Sequence, residues 1–133
     1  MSSIFTKIIA GEIPGRFVYR DDRAVAFLDI APQVPGHVLV VPIAEVNKWT
    51  DLDPDTWAHL TAVAQKVGQA VIEVFGSERA SFIIAGFDVP HTHIHVFPAN
   101  SMDGYNLANK AQVTDSQMDE IQEKLAAALQ YQP

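Results

Sequence analysis

Residues 90–99 read PHTHIHVFPA, so His91, His93 and His95 alternate strictly with Thr92, Ile94 and Val96. A period of two is that of a β-strand, in which successive side chains leave opposite faces and same-face neighbours stand about 6.5 to 7 Å apart. The pattern predicts a strand over His91–Phe97 with three imidazoles on one face. Apolar Ile94, Val96 and Phe97 set it apart from a flexible metal-grabbing tract. Three imidazoles on one face bind something anionic or electrophilic, or they bind a metal. Three histidines and a water make a catalytic zinc arrangement. Against that reading, same-face neighbours on one strand are too far apart for all three to reach one ion, and Asp88 is the one obvious acid nearby. The other reading makes His93, with a histidine on either side, a nucleophile held in one tautomer; imidazole attacks phosphorus well and leaves well.

The rest of the chain supplies a sheet for this strand. Ser2 or Ser3 can cap a short helix whose apolar side is Ile4, Phe5, Ile8 and Ile9, ending near Gly11. Phe17–Tyr19 and Ala24–Leu28 read as a hairpin around Arg20, Asp21, Asp22 and Arg23, and the loop Ala31–Gly36 feeds a strand from His37 to Val41 that Pro42 stops. Asp53, Pro54 and Asp55 open a helix of about 22 residues, about 33 Å long, whose apolar seam ends before Gly76. A strand over Ser81–Ala85 follows. Thr114 with Gln117 is a capping box for a C-terminal helix with Met118, Ile121, Leu125 and Leu129 as its seam. Residues 100–113 read equally as surface loop, active-site cover or oligomer contact. The sum is one α+β domain with a five-stranded, mainly antiparallel sheet, one long helix and two shorter ones at the ends. His37, with Leu39 and Val41 on its own face, points inward, whereas His59 reads as surface or helix-side packing.

Composition removes several function classes. No cysteine is present, which excludes thiol nucleophiles, Cys-ligated zinc and redox CxxC chemistry and permits a reducing compartment. Nine Lys plus Arg against sixteen Asp plus Glu give a net charge of −7, a poor footprint for lying along nucleic acid. No targeting segment shows before Lys7 and Glu12, and no apolar run approaches the roughly 20 residues of a membrane span. The expectation is a cytoplasmic protein that binds neither nucleic acid nor membrane.

His91, His93 and His95 with their apolar partners, and VPGHVLVVP around His37, resemble the histidine triad family of nucleotide hydrolases and transferases. IFTKIIAGEIPG, VYRDDRAVAFLDIAPQVPGH and DLDP follow the family pattern in order, so the resemblance covers residues 2–98. Residues 99–133 form a C-terminal extension with a helix, within one domain over 1–133. The resemblance implies that His93 attacks the α-phosphate of a purine nucleotide derivative (a phosphoramidate, acyl-adenylate or dinucleoside polyphosphate) to give a nucleotidyl-histidine. It gives His95 to the non-bridging phosphate oxygens and His91 to the phosphate site and the leaving-group proton. His37 would support the nucleophile from behind. Asp29 would accept from the ribose hydroxyls, and Ile4, Phe5, Ile8, Phe27 and Ile30 would hold the base. No cofactor is required by this chemistry, with zinc an option at the histidine cluster. A homodimer through the long helix and the strand after it is the assembly the family implies. The chain departs from the pattern just before the triad: Ile84 and Ala85 replace an Asn, Phe87 a Gln, and Asp88 a hydroxyl residue that contacts phosphate. That departure keeps open an alternative, a nucleotide- or metal-binding protein with little turnover.

Overall fold

The computed structural model describes residues 2–133. In chain order the elements are α1 (Ile4–Ile9), β1 (Phe17–Arg20), β2 (Ala24–Leu28), β3 (Val38–Pro42), a 3-10 turn at Trp49–Asp51, α2 (Pro54–Phe75), β4 (Arg79–Ile83), β5 (Ile94–Ala99), a second 3-10 turn at Met102–Gly104, and α3 (Asp115–Ala128). The sheet runs β1-β2-β3-β5-β4, with every neighbouring pair antiparallel. No helix among the described residues is long and apolar enough to cross a membrane.

The period of two in β2 and β3 decides what covers each face. Ala24, Ala26, Leu28, Val38 and Val40 pack with Leu60, Val63, Ala64, Val67 and Val71 of α2, while Val25, Phe27, Leu39 and Val41 pack with Phe5 of α1. Both faces are dry, which is why β2 and β3 are buried at every position instead of alternating with solvent. Fully burying one such aliphatic or aromatic side chain stabilises the fold by roughly 1.5–3 kcal/mol. His37 and His95 share parity with Leu39 and Phe97, so both belong to the α1 side of the sheet.

Caps set the helix ends where the sequence placed them. Asp53 accepts from the Thr56 amide at 2.8 Å ahead of Pro54, and Gly76 closes α2 at φ +62°. Thr114 and Gln117 form both halves of the capping box on α3. Strand ends differ more: β4 begins two residues early, at Arg79, and the last strand begins at Ile94 and not at His91. Pro42 supplies the reason. The register Val40↔Ile94 would next bring Thr92 opposite Pro42, which has no N–H for the ladder. The Thr92 amide donates instead to the Val46 carbonyl at 2.7 Å, and the His91 amide to Val89 at 2.8 Å. His91 and His93 therefore stand in the approach to the strand, and His95 alone is within it.

Within residues 100–113, Asn100 accepts from the Glu78 amide beside β4, and Asn109 and Ala111 reach the loop before His37. The Ala111 amide donates to the Pro32 carbonyl at 2.8 Å and Asn109 Nδ2 to the Gln33 carbonyl at 3.1 Å. Farther along, α3 packs on α2 and on β1, where Gln122 Nε2 donates to the Phe17 carbonyl at 3.0 Å.

Candidate active site

Main-chain groups order the imidazoles. The Gln33 amide donates to His37 Nδ1 at 3.1 Å, so neutral His37 carries its proton on Nε2. That N–H points at His95 Nδ1, 2.9 Å away, which must accept and leaves the His95 proton on Nε2. His93 has the opposite tautomer: its Nδ1 lies 2.7 Å from the His91 carbonyl oxygen, which can only accept, so neutral His93 keeps a lone pair on Nε2. The two rings, with centroids 5.0 Å apart, both line one pocket of about 530 Å³. His95 offers it a donor and His93 a nucleophilic lone pair. Nothing hydrogen-bonds to His93 Nε2, although the atom is shut off from bulk solvent, and Asp88 Oδ1 stands 3.2 Å from it.

Two expected contacts change. His37 buttresses His95 and not His93, whose orienting partner is the carbonyl two residues before it. His91 does not line the pocket: it is fully buried, its Nε2 donates to the Pro42 carbonyl at 2.8 Å, and its Nδ1 accepts from Ser3 Oγ at 2.7 Å. With both nitrogens taken, it can deliver no proton to a ligand. It pins the start of α1 to the end of β3, and α1 in turn sets the Phe5 ring edge-on to His93 at 4.9 Å.

Burial, which penalises a charged ring, pushes His37 down to about 4 even though Asp29 Oδ2 lies 3.7 Å away. Burial also lowers His95 and His91 below the ordinary histidine value. On Asp88 partial burial acts upward but is outweighed by the charge of His93 and by main-chain hydrogen bonds, so its carboxyl lies below the usual range. It is a carboxylate at neutral pH.

The apolar set Ile4, Phe5, Ile8, Phe27 and Ile30 lines the same pocket, as do Asp29 and Asp88. Phe5 and Phe27 are buried, while Ile4 and Ile30 stand 49 % and 89 % exposed. Asp29 Oδ1 accepts from the Ala31 amide at 2.9 Å, an Asx turn that aims the carboxylate. Phe87 is fully exposed, and His59 lies away from the pocket, bonded to Asp21 Oδ2 at 2.7 Å. Two wall residues have no signal in the sequence: Arg16, and Asp119 from α3, whose Oδ1 takes Arg16 Nε at 3.0 Å.

Ligand atoms of Asp29, His37 and His95, and of Asp88, His93 and His95, lie within 4.8 Å of one another. In the first group both nitrogens of His37 are engaged. In the second, His95 Nε2 bears the proton, and moving it to Nδ1 would aim it at the N–H of His37. These donor sets allow a zinc ion at the histidine cluster, at the cost of rearranging that proton, and nothing in them requires one.

The HIT domain family profile matches residues 10–102. An uncharacterized HIT-like protein of Methanocaldococcus jannaschii is 32 % identical over 123 residues, 89 % of this chain and 94 % of that one. A bis(5'-nucleosyl)-tetraphosphatase (asymmetrical) of Schizosaccharomyces pombe is 36 % identical over 90 residues, 64 % of this chain and 50 % of that one. Among solved structures, a zinc-bound histidine triad family protein of Mycobacterium smegmatis superposes with a TM-score of 0.83 at 29 % identity, covering 98 % of this chain and 94 % of the other. That coverage takes in nearly all of the segment after residue 98.

Proposed function

Since the chain belongs to the histidine triad family of HIT-domain proteins, we propose that it is a nucleotidyl hydrolase or transferase working through a covalent nucleotidyl-histidine. The observation that carries this reading is the opposite tautomers of His93 and His95 in one pocket. The tetraphosphatase name of the fission yeast relative supports nucleotide hydrolysis as the general activity. A cysteine-free chain is compatible with the cytoplasm as its compartment.

His93 Nε2 attacks the α-phosphorus, forming the N–P bond as the bond to the leaving group breaks, and the leaving group takes the electron pair together, when it is an amine, with a proton from solvent. His95 Nε2–H donates to a non-bridging oxygen, where negative charge grows in the transition state. Its partner His37, fixed by the Gln33 amide, keeps that donor in place at no reorganisation cost. Water then attacks the phosphorus and gives up a proton to solvent, the N–P bond breaks, neutral imidazole leaves, and a nucleoside monophosphate is released. Two in-line displacements retain configuration. Asp29 accepts the ribose hydroxyls, and Phe5, Phe27 and Ile8 hold the base. His91 acts through the placement of α1.

The test is turnover of a nucleoside phosphoramidate and a dinucleoside polyphosphate, with and without chelator, followed by mass spectrometry of acid-sparing quenched protein. A nucleotidyl adduct on the peptide carrying His93, absent in His93→Ala, is the expected result. Turnover without any adduct, or wild-type turnover by His93→Ala, would refute the covalent route. Nucleotide binding with no turnover of either substrate would favour the low-turnover alternative.

A further inference from the structure

Asp88 Oδ1 stands 3.2 Å from His93 Nε2, the separation at which a reacting atom sits in a near-attack arrangement. A lone pair and a carboxylate facing each other at that distance repel unless a proton or other positive charge lies between them. The carboxylate thus occupies the shell through which a phosphoryl group must arrive. It is aimed there by the Val89 amide, which donates to Oδ1 at 3.0 Å. Its side chain is 63 % exposed, so it can swing aside without disturbing the core. Its Cα, five residues before His93 on the same short connection, keeps the charge within a few ångströms of the bound phosphoryl group.

Among the wall's described residues, only the two histidines, His93 and His95, act against that charge. Of the described residues lining the pocket, the one Lys or Arg is Arg16, already paired with Asp119 at 3.0 Å and Asp115 at 3.4 Å, and Asp29 and Asp119 add carboxylates. Lys110 acts electrostatically on His37 and His95 but is not part of the wall.

From this geometry we infer that Asp88 is a charge-selecting residue: it favours nucleotidyl substrates whose leaving group is neutral or cationic, such as an amine, over those that leave as a polyphosphate anion. The inference rests on the nucleotidyl-transfer reading and names the substrate class within it. A phosphoramidate brings one negative charge to the α-phosphorus, and an ammonium on its leaving group meets Asp88 with attraction. A dinucleoside polyphosphate brings several negative charges. At a separation of about 6 Å and an effective dielectric of about 40, each added unit of charge changes affinity about tenfold.

The experiment compares wild type, Asp88→Asn and the neighbouring-loop control Phe87→Ala on one nucleoside series. The probes are a phosphoramidate of a neutral amine, a phosphoramidate whose amine carries a second ammonium, and a dinucleoside tetraphosphate. Asp88→Asn is expected to lower the kcat/KM ratio of cationic phosphoramidate to tetraphosphate by about tenfold or more, and wild-type selectivity is expected to weaken as salt rises. Calorimetry with the nucleoside monophosphate and the plain nucleoside adds a readout that needs no turnover: Asp88→Asn should tighten the monophosphate, with its roughly −1.5 to −2 charge, about ten- to a hundredfold relative to the nucleoside. Ratios within twofold of wild type in both assays overturn the inference, as does an equal shift in Phe87→Ala. The binding shift without turnover removes the hydrolase reading and keeps the selectivity. Failure to bind any nucleotide removes both.

Discussion

One residue type does four different jobs in this site, and the main chain assigns them. His37 accepts from a main-chain amide and donates to His95, His95 offers its own donor to the pocket, His93 holds a lone pair, and His91 ties two elements together. Alternation at residues 91–95 was enough to place all three near one another, but it cannot separate a ligand-facing ring from a buried tie. The separating partners, Ser3 and Pro42, are 88 and 49 residues away. Ser3→Ala leaves His91 Nδ1 buried without its donor, so it should cost about 1–3 kcal/mol by urea denaturation and lower activity through a displaced α1; unchanged stability would mean that His91 is not a tie. The depressed histidines also fix a pH dependence. Below pH 6.5 unfolded His37 gains a proton that the native ring refuses until about pH 4. The unfolded state then binds more protons, so stability falls as pH drops across that window. Asp21, held at about 2, loses its contribution only as pH falls from 3.8 toward that value, so the two windows are distinct. Melting wild type and His37→Gln between pH 7.5 and 4.5 should show a shallower decline in the variant; parallel curves would contradict the assignment.

At the scale of elements, what could be read from the sequence is what local chemistry decides. The caps of α2 and α3 depend on residues three apart, and both formed as the side chains dictated. The start of β5 depends on the partner strand's missing N–H at Pro42, which no pattern within residues 90–99 reveals. The wall contributed by α3 was equally hidden, because Arg16 and Asp119 meet across 103 residues. The loop that delivers His37 turns on Gly36, at φ +91°, where an added Cβ would come within 2.5 Å of the Phe75 ring. Gly76 has φ +62° and open space around it. Gly76→Ala should therefore cost about 1 kcal/mol, the left-handed backbone alone. Gly36→Ala should cost about 2–4 kcal/mol and also reduce turnover, because Phe75 or the loop must move and His37 is the next residue. Equal destabilisation of the two variants in urea would show that Phe75 yields freely.

For the molecule as a whole, the two edges of the sheet are treated differently. The β1 edge is covered by α3, with Gln122 reaching the Phe17 carbonyl. The β4 edge ends the sheet with no further strand among the described residues, and beside it α2 and β4 border a groove of about 480 Å³ lined by Gln65, Gly68, Gln69, Ile72 and Phe82. Phe82 is 49 % and Ile72 38 % exposed. On α2, Val63 and Ala70 are buried within the chain, whereas Ala58, Ala62 and Ile72 face out. An unpaired, partly apolar edge invites pairing with another chain unless charge or a bulge blunts it. The outward Arg79 blunts only its first residue. We therefore expect a two-fold homodimer in which β4 meets its copy and α2 closes over the seam, an isologous contact that extends one sheet across both protomers. Light scattering at micromolar concentration should give twice 14.6 kDa, and Phe82→Glu, which sets like charges across the axis, should give the single-chain mass with the helical circular-dichroism signal retained. A wild-type mass of one chain would refute the dimer. A Phe82→Glu protein that stays dimeric would move the interface away from β4.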